Sequence, residues 1–216
     1  MQRKGRSPVL RRSFLSKSLA TLTAAALTAF AWTRRDHVAG MATAQAQPRT
    51  LPATPACDAN DDHSVTPAQT EGPYFTPNSP ERASLLEPDL AGTRLVVAGS
   101  VLATDCTPVG RTLLDFWQAD DTGVYDNTGY RLRGHQFTDD AGRFSLETIV
   151  PGLYPGRTRH IHVKVQAPNG PVLTTQLYFP NEPRNSSDGI FDANLLVDLQ
   201  DNSDGKQGAF TFVVNT

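Results

Sequence analysis

From residue 93 to the C-terminus, apolar and polar side chains alternate with a period of two, which is typical of β-strands with one buried face. Six segments are rich in β-branched and aromatic residues, and turn signals such as DDAG and PNG separate or interrupt them. The segments are TRLVVAGSVLA, RTLLDFWQA, HQFTDDAGRFSLETIV, RTRHIHVKVQA, VLTTQLYFP and AFTFVVNT. The pattern predicts an all-β fold, an antiparallel β-sandwich or barrel.

The remaining segments lack this alternation. Residues 47–70 are rich in Pro, Thr, Ala and Asp and are predicted to form an irregular leader ahead of a sandwich domain over residues 71–216. Asp, Asn, Ser and Gly recur throughout residues 181–208, which we predict to be loop-like. No segment shows the period of an amphipathic helix.

Residues 1–46 are predicted to be a signal peptide with its cleavage region. Arg11 and Arg12 precede an uncharged run over residues 18–33, an arrangement typical of twin-arginine export. The run is shorter than the roughly 20 residues of a membrane-spanning helix. We therefore expect export to the periplasm or the cell exterior, and a retained membrane anchor is the alternative.

The net charge limits the classes of partner that the chain is expected to bind, and the cysteine content indicates its redox compartment. Residues 47–216 keep 12 of the 20 basic and 21 of the 22 acidic residues, a formal charge of −9. An acidic domain without a basic stripe argues against nucleic acid or an anionic membrane as a partner. The two cysteines, Cys57 and Cys106, favour one disulfide in an oxidising compartment, and two buried free thiols are the alternative.

The stretch RTRHIHVKV, residues 157–165, is a strand with a distinctive polar face. His160, His162 and Lys164 share that face, and side chains two residues apart on a strand are roughly 6.6–6.8 Å apart. Two imidazoles at this spacing can converge on one metal ion. Because metal sites usually take three or more ligands, the pair alone favours a solvated face, and Lys164 is expected to face solvent.

Two tyrosines add candidate oxygen donors near this strand. Tyr125 ends the segment WQADDTGVY and Tyr154 lies in VPGLYPGR, both in Gly- and Pro-bounded turns where functional groups are often placed. The other histidines beyond residue 46 are His63, in the leader, and His135, at a strand start. Neither has a compelling ligand spacing, so an ordinary zinc site is poorly supported.

Four motifs in order resemble the intradiol ring-cleavage dioxygenases, the superfamily of protocatechuate 3,4-dioxygenase and catechol 1,2-dioxygenase. They are TPAQTEGPYF, LLDFWQADDTGVYDN, GRFSLETIVPGLYPGRTRHIHVKV and LTTQLYF. The resemblance runs from about residue 66 to the C-terminus and is closest to short exported members. It implies a prealbumin-like antiparallel β-sandwich that uses O2 to cleave a small aromatic diol to a cis,cis-muconate-type product.

The resemblance also implies a non-haem Fe(III) cofactor held by Tyr125, Tyr154, His160 and His162. Donor chemistry agrees with it, because a phenol with a pKa of about 10 becomes a phenolate near neutral pH only beside a strong Lewis acid. Hard anionic oxygen donors in turn favour the ferric ion.

By the same resemblance, further residues act on the substrate. Tyr154 is the ligand that the diol displaces, and its phenolate accepts a substrate proton. Arg157 stabilises negative charge beside the substrate, and Gln176 lies near the iron and the histidines. The segment that lines the substrate pocket comprises Gly72, Pro73 and Tyr74.

Assembly and the choice of diol do not transfer from the motifs. Larger catechol-cleaving relatives have an N-terminal helical dimerisation region for which this chain has no room, although a homo-oligomer remains compatible with the sequence. Two alternatives stay open. One is a non-catalytic module of the prealbumin or carboxypeptidase-regulatory type, and the other is a copper or zinc site formed by His135, His160 and His162.

Overall fold

The computed structural model describes residues 64–216. Eight β-strands form the framework of this part of the chain. They are β1 (Arg94–Ala103), β2 (Leu113–Trp117), β3 (Arg133–Phe137), β4 (Arg143–Ile149), β5 (His160–Gln166), β6 (Val172–Tyr178), β7 (Asp198–Asn202) and β8 (Gly205–Val214). One sheet has the order β4-β1-β8-β7 and the other the order β3-β2-β5-β6. The predicted all-β sandwich is confirmed.

The core lies between the two sheets and follows the alternation seen in the sequence. One sheet contributes side chains such as Leu95, Val97 and Phe212, and the other contributes Phe116, Ile161 and Val163. Each of these six side chains is essentially removed from solvent. A fully buried side chain of this size contributes about 1.5–3 kcal/mol of transfer free energy, so the period-two pattern selects which face of each strand turns inward.

One strand of the first sheet contradicts the loop predicted over residues 181–208. β7 has the sequence DLQDN and pairs antiparallel with β8 from Asp198 opposite Ala209 to Asn202 opposite Gly205. Four of its five side chains are exposed, because β7 is an edge strand and faces solvent. A strand held mainly by backbone hydrogen bonds carries no apolar alternation, so its sequence resembles a loop.

The two central strands of the first sheet, β1 and β8, pair in parallel. β1 lies between β4, with which it is antiparallel, and β8, with which it is parallel. Gly99 of β1 stands opposite Phe210 of β8, and a Cβ atom at Gly99 would lie 1.7 Å from the Phe210 carbonyl oxygen. Only a residue without a side chain permits this approach of the two backbones.

Irregular segments cover the outer face of the second sheet. Residues 64–70 contain no strand but hydrogen-bond to it and to the first sheet, as when Gln69 N donates to Thr174 O and Thr66 N donates to Val213 O. Two further loops lie between strands: residues 118–132 connect β2 to β3 within the second sheet, and residues 150–159 connect β4 of the first sheet to β5 of the second. On the even-numbered face of β5, His160 and His162 are therefore buried, while Lys164 and Gln166 are half-buried.

Several predicted features lie outside the described residues. These are the signal peptide over residues 1–46, the leader up to residue 63, His63 and Cys57. Cys106 is disulfide-bonded, and its pairing with Cys57 stays a prediction. In residues 64–216 the structure contains no helix that is long and apolar enough to cross a membrane.

Candidate metal centre

His160 and His162 lie side by side on the covered face of β5. Their side chains are only 4% and 3% exposed, so this face is not solvated. In register with His162 stand Trp117 of β2 and Gln176 of β6. The Trp117 indole stacks on the His162 imidazole with a centroid distance of 4.8 Å and an interplanar angle of 7°. This packing limits the orientations that the His162 ring can adopt.

Three predicted ligands bring their donor atoms together. The Nε2 atoms of His160 and His162 are 3.1 Å apart, and the Tyr125 hydroxyl oxygen is 3.2 Å from His160 Nε2. Two ligands that bind one ion with bonds of about 2.0–2.1 Å at near-right angles are separated by about 3 Å. The observed separations therefore fit a common metal ion.

The protonation of His160 suits a metal ligand. Its Nδ1 lies 2.7 Å from the Thr158 carbonyl oxygen, which can only accept, so Nδ1 carries the proton and Nε2 presents a lone pair. Burial lowers the pKa of His160 to about 4 and that of His162 well below its ordinary value. Both rings are therefore neutral near pH 7, as metal coordination requires.

Tyr125 is a buried phenol that needs a cation to ionise. Burial raises its pKa well above the ordinary value of a tyrosine, and the positive charges of Arg157 and Arg133 offset only part of that rise. Without a metal ion the group remains a neutral phenol. A strongly charged cation beside the oxygen is the physical requirement for its phenolate.

The loops that carry the two candidate tyrosines pack directly on one another. Gly152 N donates to Asp120 O at 2.6 Å. A Cβ atom at Gly123 would lie 2.4 Å from the Leu153 carbonyl oxygen, and Gly123 has a φ of +88°. The close approach and the left-handed backbone both require glycine here. This contact sets Tyr125 and Tyr154 at the same end of the sandwich.

Tyr154, the fourth predicted ligand, lies at the edge of the cluster. Its hydroxyl oxygen is 2.8 Å from that of Tyr74, and its ring meets the Tyr125 ring edge to face with a centroid distance of 5.8 Å. Tyr74 stacks on Tyr125 at 4.6 Å. The hydrogen bond with Tyr154 raises the pKa of Tyr74. Tyr74 thus contacts both candidate tyrosine ligands.

Arg157 is held from two sides beside the cluster. Its Nε donates to Asp188 Oδ2 at 2.8 Å, and its Nη2 donates to Gln176 Oε1 at 2.7 Å and to the Tyr178 hydroxyl at 3.2 Å. Burial alone would raise the pKa of Asp188, but hydrogen bonds from Thr158 N–H and Arg157 lower it overall. The ionised carboxylate therefore orients the guanidinium.

The other predicted pocket residues surround the same centre. Gln176 Nε2 donates to Thr70 O at 2.9 Å and thereby connects β6 to the irregular segment over residues 64–70. A Cβ atom at Gly72 would lie 3.5 Å from His162 Cε1 and 4.0 Å from its Nε2, so Gly72 lies against that part of the ring. Pro73 follows in an exposed turn that leads to Tyr74.

Sequence reasoning missed three residues that support the site. Arg133 is 1% exposed, and its guanidinium donates to the backbone carbonyl oxygens of Tyr74 and Asp126, which ties the segments of Tyr74 and Tyr125 together. The others are Asp188 and Tyr178. Tyr178 follows Gln176 by two residues on one strand, a spacing that places both on one face. The sequence around Arg133 and Asp188 contains no motif or spacing that indicates a role in the site.

His135 does not join the pair formed by His160 and His162. Its Nδ1 donates to Ser79 O at 2.7 Å, and it lies two strands away from β5, on β3. Within residues 64–216 no three His, Cys, Asp or Glu side chains are grouped closely enough to hold a metal ion. The copper or zinc site with His135 as third ligand is therefore not formed.

Fold and site together define a β-sandwich that carries a buried cluster of tyrosine and histidine donors on one covered sheet face. A sequence model of the family described as "Dioxygenase" matches residues 70–212, most of the chain. The chain belongs to this family, the intradiol ring-cleavage dioxygenases.

Among solved structures, the dioxygenase domain of a dioxygenase carbohydrate-binding protein fusion from the cellulolytic bacterium Streptomyces sp. SirexAA-E is similar to this chain. The two are 57% identical with a TM-score of 0.70, over 71% of this chain and 99% of that domain. The 3-chlorocatechol 1,2-dioxygenase from Rhodococcus opacus 1CP is 29% identical with a TM-score of 0.66, over 72% of this chain and 75% of that one.

Similar sequences include a hydroxyquinol 1,2-dioxygenase from Rhizobium sp. (strain MTP-10005). It is 29% identical over 60% of this chain and 53% of its own length. A protocatechuate 3,4-dioxygenase beta chain from Burkholderia cepacia is 36% identical over 46% of this chain and 50% of its own. The matches thus span about half the length of these relatives.

Proposed function

We propose that this chain binds a non-haem ferric ion and uses O2 to cleave a catechol-type diol between its two hydroxyl-bearing carbons. The observation that best supports the proposal is the convergence of Tyr125, His160 and His162, whose donor atoms are spaced at 3.1 and 3.2 Å in a chain of the intradiol family. A non-catalytic module of the same fold has no need of a buried phenol and two neutral imidazoles aimed at one point.

The proposed ligands are Tyr125, Tyr154, His160 and His162. Their donors are two phenol oxygens and two imidazole nitrogens, a set that favours Fe(III) over softer or divalent ions once the phenols are ionised. When bound, the ferric ion supplies the charge that ionises these phenols and withdraws electron density from the diol.

The chain's own residues move a proton and stabilise charge. Tyr154, as phenolate, accepts a proton from the diol, and the Tyr74 hydroxyl at 2.8 Å stabilises the resulting phenol by a hydrogen bond. Arg157, oriented by Asp188 and Gln176, places a positive charge where the reacting oxygens become negative. Covering loops exclude water from this face and strengthen these interactions.

The substrate belongs to the group of diols named by the relatives. Those names specify hydroxyquinol, catechol, protocatechuate and 3-chlorocatechol. Both oxygen atoms of O2 enter the product, a cis,cis-muconate-type diacid. We propose that the chain is exported by the twin-arginine route, that it acts without nucleic acid, and that it assembles, if at all, as a homo-oligomer.

The visible spectrum and the metal content of the purified protein test this proposal. We expect about one iron per chain and a wine-red colour from tyrosinate-to-iron charge transfer. Oxygen uptake with catechol, protocatechuate and hydroxyquinol then ranks the diols. A colourless protein that stays free of iron after ferric loading would overturn the proposal, and an iron-containing protein that takes up no O2 with any diol would limit it to metal binding.

A further inference from the structure

Residues 71–75, here called the covering segment, form the outer wall of the candidate site. The segment places Gly72 against the His162 ring and brings Tyr74 against Tyr125 and Tyr154. It has no strand pairing of its own at these residues. Its position on the sheet therefore depends on side-chain contacts.

Lys164 contacts both ends of the covering segment. Its Nζ lies 2.5 Å from Glu71 Oε2 and 3.4 Å from the centroid of the Phe75 ring. Glu71 and Phe75 are the first and last residues of the segment. A single ammonium thus forms an ion pair with one end and a cation–π contact with the other. The lysine expected to face solvent is mostly covered, with a side chain 22% exposed.

Lys164 makes its direct ion pair with the covering segment, although its charge also acts on the carboxylate opposite it on β2. Asp115 stands opposite Lys164 on β2, but its carboxylate accepts a hydrogen bond from Ser79 Oγ at 2.7 Å. Phe75 in turn meets Trp117 edge to face at 4.9 Å. Because Trp117 stacks on His162, packed rings connect Lys164 to the centre of the site.

We propose that Lys164 is a positioning residue that clamps the covering segment and thereby sets the affinity for the diol. The inference rests on the proposed function for the identity of the ligand. Lys164 itself touches neither the candidate metal ligands nor the position of the substrate. It acts through Gly72, Pro73 and Tyr74, whose placement completes the wall.

The test replaces Lys164 by Met, which keeps an unbranched apolar chain and removes the charge. A partly exposed ion pair together with a cation–π contact predicts a rise of about fivefold in the KM for catechol, with kcat within about twofold. Amide hydrogen exchange over residues 71–76 should accelerate by a similar factor. Lys164→Arg, which keeps both contacts, should retain the parental KM, and Glu71→Gln should give an intermediate rise.

Lys206→Met is the matched control, because Lys206 pairs with Asp201 on the distant β7–β8 hairpin. It should change neither KM nor exchange over residues 71–76. The proposal is overturned if Lys164→Met leaves exchange in the covering segment at the parental rate, or if exchange rises equally throughout the domain. The exchange measurement needs no turnover, so it tests the clamp even if no diol proves to be a substrate.

Discussion

At the residue scale, His160 shows how burial and one hydrogen bond prepare an imidazole for a metal ion. The Thr158 carbonyl oxygen accepts a hydrogen bond from Nδ1 and so keeps the proton there. Burial lowers the pKa of the ring to about 4, so the ring is neutral near pH 7. Burial has the opposite consequence for Tyr125, because it raises the pKa of the phenol and disfavours the phenolate. The site is therefore ready to accept a cation at its nitrogen donors and requires that cation to ionise its oxygen donors.

A pair of substitutions separates metal binding from turnover. His162→Ala should lose most of the bound iron, because four protein ligands leave little redundancy. Tyr154→Phe should retain iron through the other three residues but lose turnover, because the residue that accepts the substrate proton is gone. Iron analysis and oxygen uptake measure the two properties.

His135→Ala is the control for these variants, because His135 is a histidine of the same sheet outside the donor cluster. It should keep both iron and activity. Catechol cleavage at the parental rate by Tyr154→Phe, or full iron content in His162→Ala, would contradict the role assigned to that residue.

At the scale of elements, β5 serves the core and the site at once. Its odd-numbered side chains, such as Ile161 and Val163, fill the core, while His160 and His162 point to the covered outer face. A shift of one residue in register would exchange the two faces. Core packing on one side of the strand therefore determines the position of the candidate metal ligands on the other.

The parallel pairing of β1 and β8 depends on Gly99. Gly99→Ala should destabilise the domain by about 1–3 kcal/mol, the cost typical of overpacking, because the new methyl group would meet the Phe210 carbonyl oxygen. Equilibrium urea unfolding measures the effect. Gly189→Ala is the control, since a Cβ atom there has no atom within 4 Å. Equal stability of the two variants would refute the close approach.

At the scale of the whole molecule, the site lies outside the sandwich core, on a sheet face that loops from distant parts of the chain cover. Arg133 ties two of these segments together through the carbonyl oxygens of Tyr74 and Asp126. Arg157 connects a third segment, the loop that contains Asp188, by a hydrogen bond to the carboxylate of that residue. The donors therefore gather only when the entire domain has folded.

The predicted disulfide between Cys57 and Cys106 belongs to this scale as well. Closing a loop of that length stabilises a domain by about 2–4 kcal/mol, so replacing both cysteines with serine should lower the free energy of unfolding by that amount. Thiol titration of the denatured protein checks the bond directly. Two reactive thiols before reduction would contradict the pairing, whereas two that appear only after reduction would support it.

Local sequence patterns were enough to predict the β-sandwich, and the resemblance to a family was enough to imply the types of donor. Alternation in RTRHIHVKV predicted which side chains of β5 share a face, and the family resemblance implied a donor set of Tyr125, Tyr154, His160 and His162. The structure brings the donor atoms of Tyr125, His160 and His162 together. Alternation and motifs are local signals, because period and motif spacing are written in neighbouring residues. These signals did not predict the edge strand β7, since its side chains face water and its pairing is made by the backbone.

Which sheet face is covered, and which contacts hold the cover in place, depends on the tertiary packing. Lys164 was expected to face solvent, yet it clamps Glu71 and Phe75 from more than 80 residues away in the chain. Asp188 and Arg133 likewise act on partners far from them in sequence. Such contacts depend on how separate segments pack, and no local pattern of residues specifies that packing.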